Sequence, residues 1–391
     1  MSRYQHHIKP APIGMAYDQD PAQTIEYLGR YVRGFFPGRN GYLSSTYPLQ
    51  ALYGTQNSSN RIQGLAFYYD PHPPTFPEIQ AGYTHRHRLV VIRSDGMIEF
   101  YPIRVAGLYG EVRLAPPRRV GPLKILAAPY FLRMDNRYYG YGYQTVQYGN
   151  ELILVHMDGW IEPVRLWQDE NGYPHMAKLG IMKPSAPTLS GTSSGSLSGT
   201  YSWLITYADE KDRESSPSLP TSTVTLSSQQ QTLSWSTSTD NQVQKIYLYR
   251  TLNAGNIYYR VAEQGFSNTT TSYTDNQPDS VIVNNTQAPE FGSQDPPHLA
   301  GYAAIYQSRL CLNDLNYLLD QSDLEATNRI QISKLDNPTA FSLLDATQVD
   351  DAATLTIGSN PGDRVVALKP IGSVLGIFKE KGFYILLGNH A

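Results

Sequence analysis

Cysteine is almost absent from this 391-residue chain: Cys311 stands alone, which excludes an internal disulfide framework and any cysteine-rich zinc site. Charge is scarce as well. Charged residues make up 17%, and 31 Lys plus Arg against 34 Asp plus Glu leave a formal net charge of -3, so no global field recruits nucleic acid or an anionic membrane. No apolar run approaches the roughly 18 residues that a membrane helix needs. The first ten residues carry two His and no apolar leader core. A soluble, unprocessed chain without membrane insertion is expected. Helical periodicity is also rare. It is convincing only where Asp20 caps, Pro21 takes the first helical position, Ile25, Leu28 and Val32 recur at helical spacing, and Gly34 ends the run.

What the chain has in abundance is tyrosine, 30 residues of it, with 31 Gly and 27 Pro. Strand-favouring aromatics mixed with turn residues point to an all-β protein. The length calls for about two or three domains. Residues 1–60 are rich in Gly, Pro and Tyr without a sustained period and read as an irregular arm around the one short helix. Beyond it lies an internal repeat. Residues 88–99 read RLVVIRSDGMIE and residues 151–162 read ELILVHMDGWIE, each an apolar strand, a two-residue turn at Asp95-Gly96 or Asp158-Gly159, and a returning strand. Looser copies lie at 373–386, with Gly382 in the turn, and at 306–319. A shorter piece, Asn60-Arg61-Ile62-Gln63, recurs at Asn328-Arg329-Ile330-Gln331. Repeated hairpins are the pattern of propeller blades, since one small sheet cannot bury its faces alone.

Composition shifts abruptly between the second and third hairpins. Over 185–240, 26 of 56 residues are Ser or Thr and only 7 are charged. Alternation persists there: Tyr201, Trp203, Ile205 and Tyr207 fall on one face, Ser202, Leu204 and Thr206 on the other. Short strands with turn signals over this span indicate a β-sandwich in preference to a disordered linker. The expected organisation is an N-terminal arm (1–60), a first set of propeller-like blades (61–183), an inserted sandwich (184–286) and a second set of blades (287–391).

Several runs carry a resemblance: 199–207 (GTYSWLITY), 214–218 (ESSPS), 246–251 (IYLYRT), 258–262 (YYRVA) and 271–275 (TSYTD). Together they resemble the fibronectin type III-like insert of many tailed-phage virion proteins. The strands at 303–310, 365–370 and 376–384 resemble the blade strands that follow it in those proteins. The likeness covers about residues 184–388 and extends to the tail tube and nozzle proteins of short-tailed phages. It implies a non-enzymatic structural protein of the virion, made in the host cytoplasm, which forms a ring, hexameric in that family, in the tail or at the head–tail connector. Its implied partners are further copies of itself, adjacent tail or adaptor proteins, tail fibres and genomic DNA passing without sequence preference. It supplies no catalytic residues and no cofactor. Such relatives continue with further blades, whereas this sequence stops at Ala391, so the propeller is expected to be small, open or completed by another chain.

Candidate chemistry is sparse. Asp95, Glu99, Asp158 and Glu162 resemble the paired carboxylates of glycoside hydrolysis, but their places in and after hairpin turns account for them. His85 and His87 share a strand face at metal-binding spacing without an evident third ligand. Cys311, in an apolar strand, reads as a buried inert thiol. The most unusual local sequence is the cluster Tyr138, Tyr139, Tyr141 and Tyr143, interleaved with glycine. It offers a rigid contact surface for another subunit or, alternatively, a stacking platform for host glycans in a receptor-binding or fibre-anchoring protein. Over 86–124, eight Lys or Arg outnumber three acids, which makes Arg113, Arg118 and Arg119 candidates for contact with DNA phosphates or an acidic partner.

Overall fold

A computed structural model gives the architecture. It describes residues 36–37, 43–44, 62–123 and 143–387, apart from positions 75, 81, 82, 84, 94, 107–110, 115, 116, 160, 321, 343–349 and 359–362. The helix expected after Asp20 and the residues Tyr138, Tyr139 and Tyr141 lie outside the described residues. The protein is all-β, with antiparallel sheets and two short α-helices among the described residues. No closed barrel or propeller is formed among them. The chain divides into two compact units, residues 1–161 with 165–176, and residues 162–164 with 177–391.

In the first unit, β1 (Phe36–Pro37) pairs with β2 (Leu43–Ser44). A larger sheet contains β3 (Ile62–Tyr68), β4 (Arg88–Arg93), β5 (Ile98–Ala106), β6 (Glu111–Leu114) and β7 (Arg118–Val120), with the helix α1 (Phe76–Gln80) between β3 and β4. Its core is Ala66, Tyr68, Val90, Ile92, Ile98 and Phe100, all essentially without exposure. The β4–β5 connection is one residue longer than the two-residue turn expected. Arg93 N–H donates to the Met97 carbonyl and Gly96 N–H to the Arg93 carbonyl, with Gly96 at φ +79°. That is a three-residue loop ending on a left-handed residue, which glycine adopts at little cost. The second hairpin departs further. β8 (Tyr143–Tyr148) and β9 (Glu151–His156) pair, and β10 (Val164–Gln168) and β11 (Pro174–Lys178) extend the sheet in sequence order. Gly159 does close a turn onto His156, but the returning strand starts only at Val164, so Glu162 stands outside it.

The second unit opens with a long extended run that changes sheets at Ser202. β12 (Thr188–Tyr201) pairs with β14 (Val224–Ser234), which pairs with β18 (Ser272–Asp275). β13 (Trp203–Ala208) pairs with β15 (Lys245–Thr251), which pairs with both β16 (Tyr258–Arg260) and β17 (Phe266–Ser267). The two sheets share one apolar cluster, to which the first gives Leu197, Tyr201, Leu226 and Leu233 and the second Trp203, Ile205, Tyr207, Ile246 and Leu248. The alternation read at 201–207 thus faces this core. The opposite face of β13 and β15 is buried too, through Leu204, Ala208, Tyr247 and Tyr249.

After helix α2 (Asp279–Ile282) come two further sheets. β19 (Ala303–Tyr306), β20 (Arg309–Asn313), β21 (Arg329–Ile332) and β22 (Ala353–Thr356) form one meander. β23 (Val365–Ile371), β24 (Val374–Lys379) and β25 (Phe383–Leu387) form the next. The weak copy at 306–319 sits earlier than expected, as the hairpin β19–β20 turning at Gln307-Ser308, both at positive φ; a 3-10 turn follows at Asn316–Leu318. The copy with Gly382 in its turn is β24–β25. One apolar cluster holds the two sheets together and includes Tyr306, Cys311, Ile330, Leu375 and Ile377.

Candidate functional site

Among the described residues of the first unit, a group of ionisable and aromatic side chains gathers around the start of β4. In the run 85–88 that leads into β4, Arg86 and Arg88 are buried, while His85 and His87, which alternate with them, are half-buried. Arginine is rarely enclosed without partners. Arg86 Nε lies 3.2 Å from Asp70 Oδ2 and 3.8 Å from Glu78 Oε2, and its Nη atoms donate to the carbonyls of Asp169 and Glu170. Arg88 donates to Glu78 Oε1, and His72 Nδ1 sits 2.7 Å from Asp70 Oδ1. The turn at 169–173 completes the enclosure. Burial works against ionisation of Asp169, but the backbone N–H groups of Tyr173 and Asn171 and the imidazole of His175 outweigh it and hold the carboxyl below its usual range.

The rings of His85 and His87 stack at 4.5 Å with an interplanar angle of 16°, and Tyr69 lies 4.6 Å from His87. Burial pushes both imidazoles toward the neutral form. His87 falls to about 4, helped by His85 beside it, and His85 is lowered by burial and by the Arg88 charge.

The candidate basic residues are bound into this framework. Arg118 Nη1 donates to the Asn171 carbonyl at 2.7 Å, and its guanidinium lies 4.2 Å above the Tyr173 ring. Arg119 Nε donates to Glu99 Oε1 at 2.9 Å; the same oxygen accepts from Arg93 Nη1, and the Tyr101 hydroxyl donates to the other. Arg113 is in β6, and its side chain is not among those described. The structure therefore brings Arg118 and Arg119 onto one strand, but each already has an internal partner. Tyr143 opens β8 half-buried, with its ring edge-on to His156 at 4.8 Å, and burial raises its hydroxyl.

For the carboxylates, Asp95 pairs with Arg93, Glu99 is saturated as above, and Glu162 pairs with Lys178 at 2.6 Å. No group of three or more His, Cys, Asp or Glu side chains among the described residues is arranged to hold a metal ion. Cys311 is enclosed, and burial pushes its thiol up to about 12, far from a nucleophile's range.

Sequence reasoning missed Asp70 and Glu78, which meet Arg86 and Arg88 within 16 positions, and Tyr173, whose partner Arg118 lies far along the chain. One signal was available. Two arginines alternating with two histidines at 85–88 place a pair of cations on the buried face of a strand, and such a pair requires acids from elsewhere. No protein-family model matches the chain, and no curated protein matches it.

Proposed function

We propose that the chain is a non-enzymatic structural protein of a tailed-phage virion, a ring-forming tail nozzle, tail tube or head–tail connector component. The observation that carries this reading is a succession of small sheets built from sequential neighbours, β8 to β11, β19 to β22 and β23 to β25, with the two-sheet region 188–275 placed between them. In this reading the sheets form a propeller-like body and the two-sheet region is its fibronectin type III-like insert. The role is mechanical: copies pack into a ring, six by the resemblance, that conducts DNA and docks adjacent tail proteins or fibres. Charged side chains that are satisfied internally support it, because a conduit for DNA works through weak contacts and not through a strong phosphate grip. Permanent interfaces in such a ring bury on the order of 2,000 Å² or more.

Mass photometry of the purified chain followed by electron microscopy tests the reading. Rings with a central hole wide enough for duplex DNA are expected. A monomer at every concentration, together with absence of the chain from virions, overturns it.

A further inference from the structure

Lysine is almost never fully buried, yet Lys379, at the end of β24, has a side chain with no exposure at all. It is the only buried lysine among the described residues. Its Nζ lies 2.9 Å from Asn328 Oδ1, 2.8 Å from the Ile357 carbonyl oxygen and 3.7 Å from Asp363 Oδ2. Asn328 and Asp363 are buried as well. Asp363 is aimed by a hydrogen bond from the Lys381 backbone N–H to its other oxygen, at 2.9 Å. Ile357, Val365 and Ile377, from the apolar cluster of the last two sheets, neighbour these residues along the chain. A primary amine, a carboxamide and a carboxylate are thus held together, all three buried.

We infer that Lys379 and Asn328 join in an intramolecular isopeptide bond, with Asp363 carrying the proton. The Lys379 ammonium gives a proton to Asp363, and the freed Nζ pair attacks Asn328 Cγ. The new C–N bond forms as the bond from Cγ to the amide nitrogen of Asn328 breaks. Asp363 returns its proton to the departing nitrogen, which also takes the proton lost from Nζ. The net change converts an ammonium and a carboxamide into a secondary amide and one ammonium ion, with Asp363 restored as carboxylate. No oxidant or cofactor enters. The product turns the enclosed ammonium into a neutral amide and leaves the Asp363 carboxylate with the hydrogen bond from the Lys381 backbone N–H. It also ties β24 to the head of β21 across 51 positions of chain, restricting the unfolded state as a disulfide does. The inference does not rest on the virion reading.

The test is the intact mass of the full chain under denaturing conditions, followed by protease digestion. The expected mass is lower than that of the sequence by one ammonia, and the digest contains a branched peptide joining the Asn328 and Lys379 segments. Lys379→Met and Asn328→Ala variants are expected at full mass. The wild-type measurement does not depend on either variant folding. An unshifted wild-type mass overturns the inference. So does ammonia loss with only linear peptides, the signature of asparagine cyclising on its own backbone. A branched peptide that persists in Asp363→Asn overturns the role given to Asp363.

Discussion

Arg250 and Asp275 meet at 2.9 Å in the two-sheet region with neither side chain exposed to solvent. The same carboxylate oxygen accepts from Trp203 Nε1 at 2.9 Å, while the other arm of the guanidinium reaches Asp279 at the start of α2. The pair links a core strand of one sheet to the last strand of the other, and removal of Asp275 takes from Arg250 its one fully buried carboxylate and leaves the buried indole N–H of Trp203 without its acceptor. Asp275→Ala is expected to destabilise by about 3–5 kcal/mol. The exposed pair Lys245–Asp212 provides the contrast: Lys245→Ala is expected to cost less than about 1 kcal/mol. Urea unfolding followed by tryptophan fluorescence measures both. Similar losses in the two variants would show that burial of the Arg250–Asp275 pair does not govern its contribution.

Glu99 and Arg119 separate a structural role from a contact role in the basic segment. Glu99 is buried and accepts from Arg93, Arg119 and Tyr101, whereas the Arg119 side chain is more than half exposed. Glu99→Ala leaves Arg93 with Asp95 as its carboxylate partner, removes the acceptor of the Tyr101 hydroxyl, and is expected to cost about 3 kcal/mol in urea unfolding. Arg119→Ala is expected to cost under about 1 kcal/mol. A loss of the proposed ring formation in Arg119→Ala, read by mass photometry with its stability unchanged, would assign that residue to a contact surface as well as to the fold.

Local pattern carried much of the fold and little of the candidate site. Tyr201, Trp203, Ile205 and Tyr207 alternate strictly, and all four face one core because a strand admits only two faces. Gly96 likewise marked its turn, since the left-handed residue closing the loop favours glycine. The site behaves differently. Arg86 meets Asp70 nearby in sequence but the Asp169 and Glu170 carbonyls more than eighty positions away, and Tyr68 donates to the carbonyl of Asn150. Such partners are chosen by how sheets and turns come together in three dimensions, which no short-range period records. Lys379 was equally illegible: a lysine in Phe-Lys-Glu-Lys-Gly reads as a solvated turn until Asn328 and Asp363 are brought beside it.

The stacked pair His85–His87 sets a pH dependence for the first unit. Both imidazoles are depressed from 6.5, His87 to about 4. In the unfolded chain they take up protons as the pH falls through their ordinary value, while the folded chain resists; below about 6.5 the unfolded state binds more protons and gains at the expense of the folded one. Stability is therefore full above that pH, declines as the pH falls toward about 4, and levels off below. Tyr69 and Phe67 face the pair, and Arg88 and Asp70 are the nearby charges. His156, also lowered by burial, adds to the decline. Hydrogen exchange of the β4 amides at neutral pH and at about pH 4.5 is expected to show weaker protection in acid, with a smaller difference in a His85→Gln, His87→Gln double variant. An unchanged difference in that variant would remove the pair from the account.

Gly180 gives the sharpest backbone prediction in the second unit. Its φ is +90°, and a Cβ there would stand 2.7 Å from Pro296 Cα and 2.8 Å from the Thr339 carbonyl oxygen, both backbone atoms that cannot swing aside. Nearby, Gln242 Nε2 donates to the Gly180 carbonyl at 3.0 Å, so any shift of this segment also disturbs a buried amide. The conformation alone costs an L-residue about 1 kcal/mol or more, and the clash adds to it. Gly180→Ala is expected to destabilise the second unit by about 2–4 kcal/mol, with the first unit's hydrogen exchange unaffected. Gly149 is the control, at φ +55° with open space around its Cβ position: Gly149→Ala bears only the conformational part of the cost. Equal losses at the two positions would show that the approach of Pro296 and Thr339 to Gly180 is not close in solution.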